Sequence, residues 1–388
     1  MRTEIPEATL ATDRGRRANA ILRTCVHCGM CNATCPTYQV RGDELDGPRG
    51  RIYLIKGLLE SGAANAVART HLDRCLTCRA CETTCPSGVS YGELAEIGRE
   101  VLEEQRPSRS LLRQLLLGIV PRPKLLGPLV ALARPFRWLL PRRLRRLLKP
   151  PPRHRSLPAR GRVLLMQGCV QRVATPEVNA HLAGLLEARG MAPFVSAAEQ
   201  CCGGLALHAG RTGAAHSVMR RNVERLPVDD VDVVISTASG CGVTLKDYGR
   251  VLGGDTASRF ADKVRDVAEV LAGLDFQKNP VDGREAETVA WHPPCTLQHG
   301  QRLTGLVEKI LTSTGYALVP VADQHLCCGS AGSYSILQPG LASELKERKA
   351  RALTRARPDV IATANIGCQT HLADAVGVPV VHWMELLR

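Results

Sequence analysis

This chain of 388 residues is poor in aromatic side chains, which make up only 3% of it. Base stacking on aromatic platforms is therefore not how it works. It lacks any uncharged apolar run approaching the ~20 residues needed to cross a bilayer. Met1 to Arg23 is polar and charged where a secretory signal would be apolar. A cytoplasmic protein, soluble or peripheral, is expected. Nucleotide-binding glycine patterns are also missing. No G-x-G-x-x-G follows a strand, no G-x4-G-K-[ST] occurs, and Gly329-Ser-Ala-Gly332 fits neither. No Ser/His/Asp motif stands out, so no catalytic residue is assigned.

Acidic residues are absent from one stretch. Between Gln105 and Arg162 there are sixteen Lys or Arg and no Asp or Glu. The net charge of +14 comes from this segment, because the rest carries 35 basic against 37 acidic residues. Basicity confined to one segment argues against a general nucleic-acid surface.

Cysteine is what the chain has in abundance. There are sixteen, and all fall into ordered patterns. Two runs have the form C-x2-C-x2-C-x3-C-P: Cys25, Cys28, Cys31, Cys35 with Pro36, and Cys75, Cys78, Cys81, Cys85 with Pro86. The other eight form two arrays of one cysteine, a vicinal pair followed by glycine (CCG), and a last cysteine. The first array is Cys169, Cys201, Cys202 and Cys241, and the second is Cys295, Cys327, Cys328 and Cys368. In a reducing compartment such density points to metal rather than disulfides.

The paired runs point to [4Fe-4S] clusters. A cubane core needs four thiolates, and x2 spacing lets one loop wrap three corners. In two-cluster ferredoxins the fourth cysteine of each run ligates the other cluster. Cys25, Cys28, Cys31 and Cys85 are therefore expected to hold one cluster, and Cys75, Cys78, Cys81 and Cys35 the other. Structural zinc is the alternative, but it favours two C-x2-C pairs, not a third x2-spaced Cys with Cys-Pro. Each CCG array offers four thiols, enough for a further iron–sulfur group or zinc. A vicinal disulfide is disfavoured, since neighbouring Cα atoms ~3.8 Å apart lie below the usual bridging range. His27, His292, His299, His325 and His371 lie near cysteines. Of these His299 draws most notice, with a positioning hydrogen bond favoured over catalysis.

Three zones follow. Residues 1–104 hold both runs, with helices expected at Gly47 to Glu60 and Gly92 to Glu104. Residues 105–160 form a basic Leu/Pro-rich connector, whose prolines should cut any helix into short pieces. Its Leu125 to Leu140 and Arg142 to Lys149 mix leucines and cations. They suit an anionic membrane face, an acidic partner subunit, or a solvated linker. Residues 161–388 are an internal repeat at a spacing of 126 residues, Cys169 recurring as Cys295. Strands are expected at Val163–Gln167, Pro193–Ser196 and Val231–Thr237, a helix at Pro176 to Arg189, and strands at Val289–Trp291, Ala317–Val321 and Val360–Thr363. Strands alternating with helices imply parallel sheets with the cysteines just past strand ends. The expected fold is thus an α+β/α/β multidomain chain. A helical two-cluster ferredoxin-type domain (1–104) and the connector precede two repeated α/β cysteine-rich CCG domains, 161–275 and 286–388.

Longer blocks resemble the iron–sulfur subunits of glycolate oxidase (glycolate dehydrogenase). They include Cys25-Val-His-Cys28-Gly-Met-Cys31-Asn-Ala-Thr-Cys35-Pro36-Thr-Tyr38 and Gly42 to Tyr53. Cys75 to Val89, Ala238-Ser-Gly-Cys241-Gly, Cys295-Thr-Leu-Gln-His299, His325 to Gly332 and Thr363 to His371 continue them. The resemblance spans about Ile21 to Trp383. It implies two [4Fe-4S] clusters, flavoprotein partner subunits that carry the FAD, and oxidation of glycolate to glyoxylate. Electrons would pass from the partner flavin to a quinone-type membrane acceptor. Peripheral attachment at the inner face of the cell membrane follows from that. The CCG halves also resemble the cysteine-rich domain of heterodisulfide reductase. Here Ala238 and Asn365 replace the first cysteine of that family's closing C-x-x-C. The alternatives are an iron–sulfur subunit for lactate or glycerol-3-phosphate, a thiol or disulfide reductase working at the CCG cysteines, and a zinc-bound scaffold.

Overall fold

The computed structural model describes residues 1–139, 161–276 and 287–388. The cationic run Arg142 to Lys149 lies outside the described residues. The N-terminal part is helical. Its central helix, Pro48–Ser61, starts on a proline whose fixed φ suits the first helical turn and stops at Gly62, left-handed at φ 65. Ile52, Ile55, Leu58 and Leu59 form its buried stripe. They meet Leu72 of Ala66–Asp73 and Leu94 and Leu102 of Tyr91–Gln105 in one core. Truncating any of these fully buried leucines to alanine costs about 2–5 kcal/mol. Both helices expected here are present, each shifted by about a residue.

The connector folds into helices Leu111–Ile119 and Pro123–Ala133. Pro123 starts the second helix, but Pro128 sits inside it. Both helices are short, as expected of so proline-rich a stretch. In so short a helix Pro128 removes a single backbone hydrogen bond. Among the described residues no single helix is long and apolar enough to cross a membrane.

The C-terminal part holds two four-stranded parallel sheets. The first contains β1 (Val163–Met166), β2 (Pro193–Phe194), β3 (Val233–Ser236) and β4 (Val264–Asp266), in the order β2-β1-β3-β4. The second contains β5 (Thr288–His292), β6 (Ala317–Leu318), β7 (Val360–Thr363) and β8 (Val380–His382), in the order β6-β5-β7-β8. Strands β4 and β8 went unpredicted. Each has three residues at a sheet edge, and no cysteine follows it closely to mark its end, as one does after the strands that were expected. The repeat is thus structural as well as sequential.

The two halves are fused. One apolar core takes Val163, Leu165 and Ile235 from the first sheet and Val289, Trp291 and Ala362 from the second. Ser239 N–H donates to the carbonyl of Ala364 at 3.1 Å. His382 Nε2 donates to the carbonyl of Thr237 at 2.9 Å. The helical part docks on both halves. Arg79 pairs with Asp247 and Arg250 with Glu96 on the first half, and Tyr334 of the second donates its hydroxyl to the carbonyl of Arg74 at 3.0 Å.

Candidate iron–sulfur centres and thiol arrays

The two cysteine runs adopt the same unusual backbone. His27 and Thr77, at matching positions before the second cysteine of each run, are left-handed at φ 60 and 53. Gly29 and Arg79, just after that cysteine, are left-handed too, at φ 83 and 60. Left-handed non-glycine residues cost about 1–2 kcal/mol each and persist only where the surroundings hold them. Arg99 supplies such a hold. It donates to Thr77 Oγ1 at 2.6 Å and to the carbonyls of Cys75 at 2.6 Å and Leu72 at 2.8 Å. The resulting curl turns three thiols of the run toward one side.

Two adjoining cavities result. Cys25, Cys28, Cys31 and Cys85 line the first, with Val26, Ile52, Pro86 and Val89. Cys35, Cys75, Cys78 and Cys81 line the second, with Pro36, Leu76, Tyr91 and Arg51. Cys81, Pro48 and Tyr91 border both. The fourth cysteine of each run thus lies with the first three of the other.

The donor set suits a polynuclear sulfide-bridged core. It is dominated by soft thiols, with His27 at the edge of the first cavity and no carboxylate among the lining residues. Among the described residues, no three of these eight thiols lie within 4.8 Å of one another, as a single ion would require. Burial and the neighbouring Cys25 and Cys85 push the Cys31 thiol up to about 11. Converging thiolates therefore call for a positive core. Around the second cavity the protein supplies positive groups itself. Burial opposes the Cys75 thiolate, but Arg51 and Arg99 outweigh it and hold that group below the ordinary thiol value. Tyr91 O–H and Thr77 N–H donate to Cys75 Sγ at 3.5 and 3.4 Å. Arg51 is buried and shares Asp46 with His71 and Arg74.

All eight CCG-array cysteines follow carboxyl ends of parallel strands, where such sheets place their sites. In the first array Cys201 and Cys169 sulfurs are 3.7 Å apart, and Cys202 hydrogen-bonds Cys201 and Cys241. In the second, Cys295 and Cys327 are 3.9 Å apart and Cys328 contacts Cys327 and Cys368. Every thiol of the second array is buried, whereas three of the first are only partly so. The second array abuts the second cavity. Cys78 packs beside Cys295 and Cys327 among Leu76, Tyr334 and Leu345.

The nearby histidines divide. His299 bridges Thr83 and the carbonyl of His325, each at 2.9 Å. His371 donates to the carbonyl of Ala342 at 3.2 Å. His27 meets the Tyr53 ring edge-on. His292 alone of these joins cysteines: it lies against Cys328 and Cys368. Sequence reasoning also missed Arg51, Arg99 and Lys349 as charge partners of the thiols. A buried arginine leaves no mark in sequence beyond its place in an otherwise apolar stripe.

Paired thiol cavities, with a duplicated thiol array packed against one of them, define an iron–sulfur electron-transfer protein. Comparison with known proteins narrows the class. Residues 21–89 match the model of the 4Fe-4S dicluster domain, and residues 163–246 and 289–373 match that of the cysteine-rich domain. The chain is 42% identical to the glycolate oxidase iron–sulfur subunit of Escherichia coli K12, over all of this chain and 98% of the relative. It is 29% identical to a probable glycolate oxidase iron–sulfur subunit of Bacillus subtilis 168, over 89% and 87%. It is 26% identical to one subunit of the fumarate reductase (CoM/CoB) of Methanothermobacter marburgensis, over 94% and 72%. The chain belongs to the family of glycolate oxidase iron–sulfur subunits and serves as an electron-transfer subunit of an oxidoreductase.

Proposed function

We propose that this chain works in a complex that oxidises glycolate to glyoxylate, between a flavoprotein partner and a quinone-type membrane acceptor. The observation that carries the reading is the pair of adjoining four-thiol cavities. Cys25, Cys28, Cys31 and Cys85 would hold one [4Fe-4S] cluster, and Cys35, Cys75, Cys78 and Cys81 a second. Such a cluster, when bound, accepts and releases single electrons. The chain's own groups set its surroundings. Arg51 and Arg99 favour added negative charge beside Cys75, and the lining buries Cys25, Cys35, Cys75 and Cys81. Cys28 is exposed, and Val26, Met30 and Tyr53 beside it are 68%, 54% and 60% exposed. This apolar rim suits docking of a redox partner at the first cavity.

The membrane side of the reading rests on the connector. Leu111, Leu115, Leu132, Phe136 and Leu139 are exposed on the helical pair and its end. Apolar side chains next to sixteen cations fit a peripheral site on an anionic bilayer. Residues 1–104, 105–160, 161–275 and 286–388 remain the units of the proposal, the last two sharing one core.

The test is anaerobic co-purification followed by addition of glycolate, D-lactate or glycerol-3-phosphate. Rapid bleaching of the iron–sulfur absorbance by glycolate, with flavin present, supports the reading. Bleaching by another substrate alone moves the chain to a sister dehydrogenase. Loaded protein, with flavin present, that none of the three reduces overturns it.

A further inference from the structure

The two CCG arrays are copies in spacing but not in chemistry. Three residues before its first cysteine the second array has His292, where the first has Met166. His292 closes β5, is 1% exposed, and among the described residues neither ring nitrogen has a hydrogen-bond partner. A buried imidazole without a partner forfeits about 1–3 kcal/mol, so its place needs a reason. A ligand atom of His292 and the sulfurs of Cys328 and Cys368 all lie within 4.8 Å of one another. Cys327 is in hydrogen-bond contact with Cys328. Lys349, 2% exposed, stands over the same thiols and is anchored by donating to the carbonyl of Asp323 at 2.6 Å. The matching residue in the first half is Val223. There the position of His325 is taken by Glu199, which pairs with Arg172.

We propose that His292, Cys328 and Cys368 bind a single zinc-type divalent cation that the first array does not, with Cys327, which touches Cys328 but stands outside that group of three, turning in as fourth donor. Three thiolates and one imidazole form a common closed zinc shell. Three thiolates and a divalent cation carry one net negative charge, and Lys349 balances it. His292 takes the role left open by Asn365, which stands where a closing C-x-x-C would put another thiol. Zinc has no redox chemistry. The site next to Cys78 therefore braces the wall of the second cavity and sets its local charge, and is not a further electron carrier. The inference stands apart from the identity of the organic substrate.

The test uses the full chain purified anaerobically. Zinc and iron are measured in the unmutated protein, His292→Ala, His292→Cys and Met166→Ala. About one zinc per chain is expected in the unmutated protein, in Met166→Ala and in His292→Cys. His292→Ala should lose most of it while keeping its iron. X-ray absorption at the zinc edge of the unmutated chain keeps the test independent of how the variants fold. It should show one nitrogen at about 2.0–2.1 Å and three sulfurs at about 2.3 Å. Absence of zinc, an all-sulfur shell, iron at this site, or zinc unaffected by His292→Ala each overturns the proposal.

Discussion

Thr83, in the second cysteine run, donates its hydroxyl to Nδ1 of His299, beyond Cys295, across 2.9 Å. The direction follows from the other ring nitrogen. Nε2 faces the carbonyl of His325 at 2.9 Å and must carry the proton, which leaves Nδ1 as acceptor. Burial holds His299 below its ordinary pKa and keeps it neutral. His299 is therefore a clamp between the helical part and the second sheet. Thr83→Val should cost about 1–2 kcal/mol in anaerobic urea unfolding, with iron content unchanged. Thr83→Ser should restore most of the loss. Equal stability of all three proteins would refute the clamp.

The crossing of the runs predicts which variants behave alike. Cys85→Ala removes a donor from the cavity of Cys25, Cys28 and Cys31, not from that of its own run. Its residual EPR signal should match that of Cys28→Ala and differ from that of Cys78→Ala, with iron reduced by about half in each. A match to Cys78→Ala instead would assign Cys85 to its own run.

Arg51 tests the electrostatics of the second cavity. Its guanidinium lies 3.9 Å from Cys35 Sγ and donates at 3.1 Å to Thr37. Replacing it with methionine removes a buried positive charge. The more negative, reduced state loses more by this. The potential of the group held there should fall by on the order of 50–100 mV, read by EPR-monitored titration. Arg51→Lys should fall by less.

The apolar face of the connector helices makes a solution prediction. Replacing Leu115, Leu132 and Leu139 with glutamine should reduce recovery in a washed membrane fraction at least about tenfold, since each buried leucine contributes about 1.5–3 kcal/mol. Iron content should not change. Undiminished recovery would move the attachment to another surface.

His382 predicts a pH dependence. Burial lowers its pKa to about 4, and Nε2 donates to Thr237 in the other half. The fold holds it neutral while the unfolded chain, near 6.5, takes up a proton. Its contribution is therefore complete above pH 6.5 and declines as pH falls toward 4. About 1.4 kcal/mol is lost by pH 5.5. Buried Asp266, raised to about 6, has the opposite slope in this range. The readout is therefore the difference between the unmutated chain and His382→Asn, which should shrink from pH 7 to 5.5.

Much of this was legible beforehand because the signals are local. Cys25 to Pro36 and Cys75 to Pro86 declare their chemistry by spacing alone. Val163–Met166 and Val360–Thr363 are short apolar runs bounded by turns and cysteines, and both are strands. Strands β4 and β8, with three residues each, carried no such signal. The connector's prolines foretold short helices, although the place of Pro128 inside one of them depends on helix bounds that sequence does not delimit. His292 and His299 lie three and four residues from Cys295 in the chain, and attention fell on His299. The fold gave His299 two hydrogen bonds and left His292 facing thiols.

Sequence by itself determined the donor types, the two cysteine runs, the duplication and the confined basic segment. These are properties of spacing and composition, and they survive in any conformation. Tertiary structure alone decided which thiols share a cavity, that the two CCG halves share one core, and that Cys78 lies beside Cys295. It also decided that Arg51, Arg99 and Lys349 are buried against sulfur. Those relations join residues tens to hundreds of positions apart. They exist only because burying the apolar faces of helices and sheets brings distant parts of the chain together.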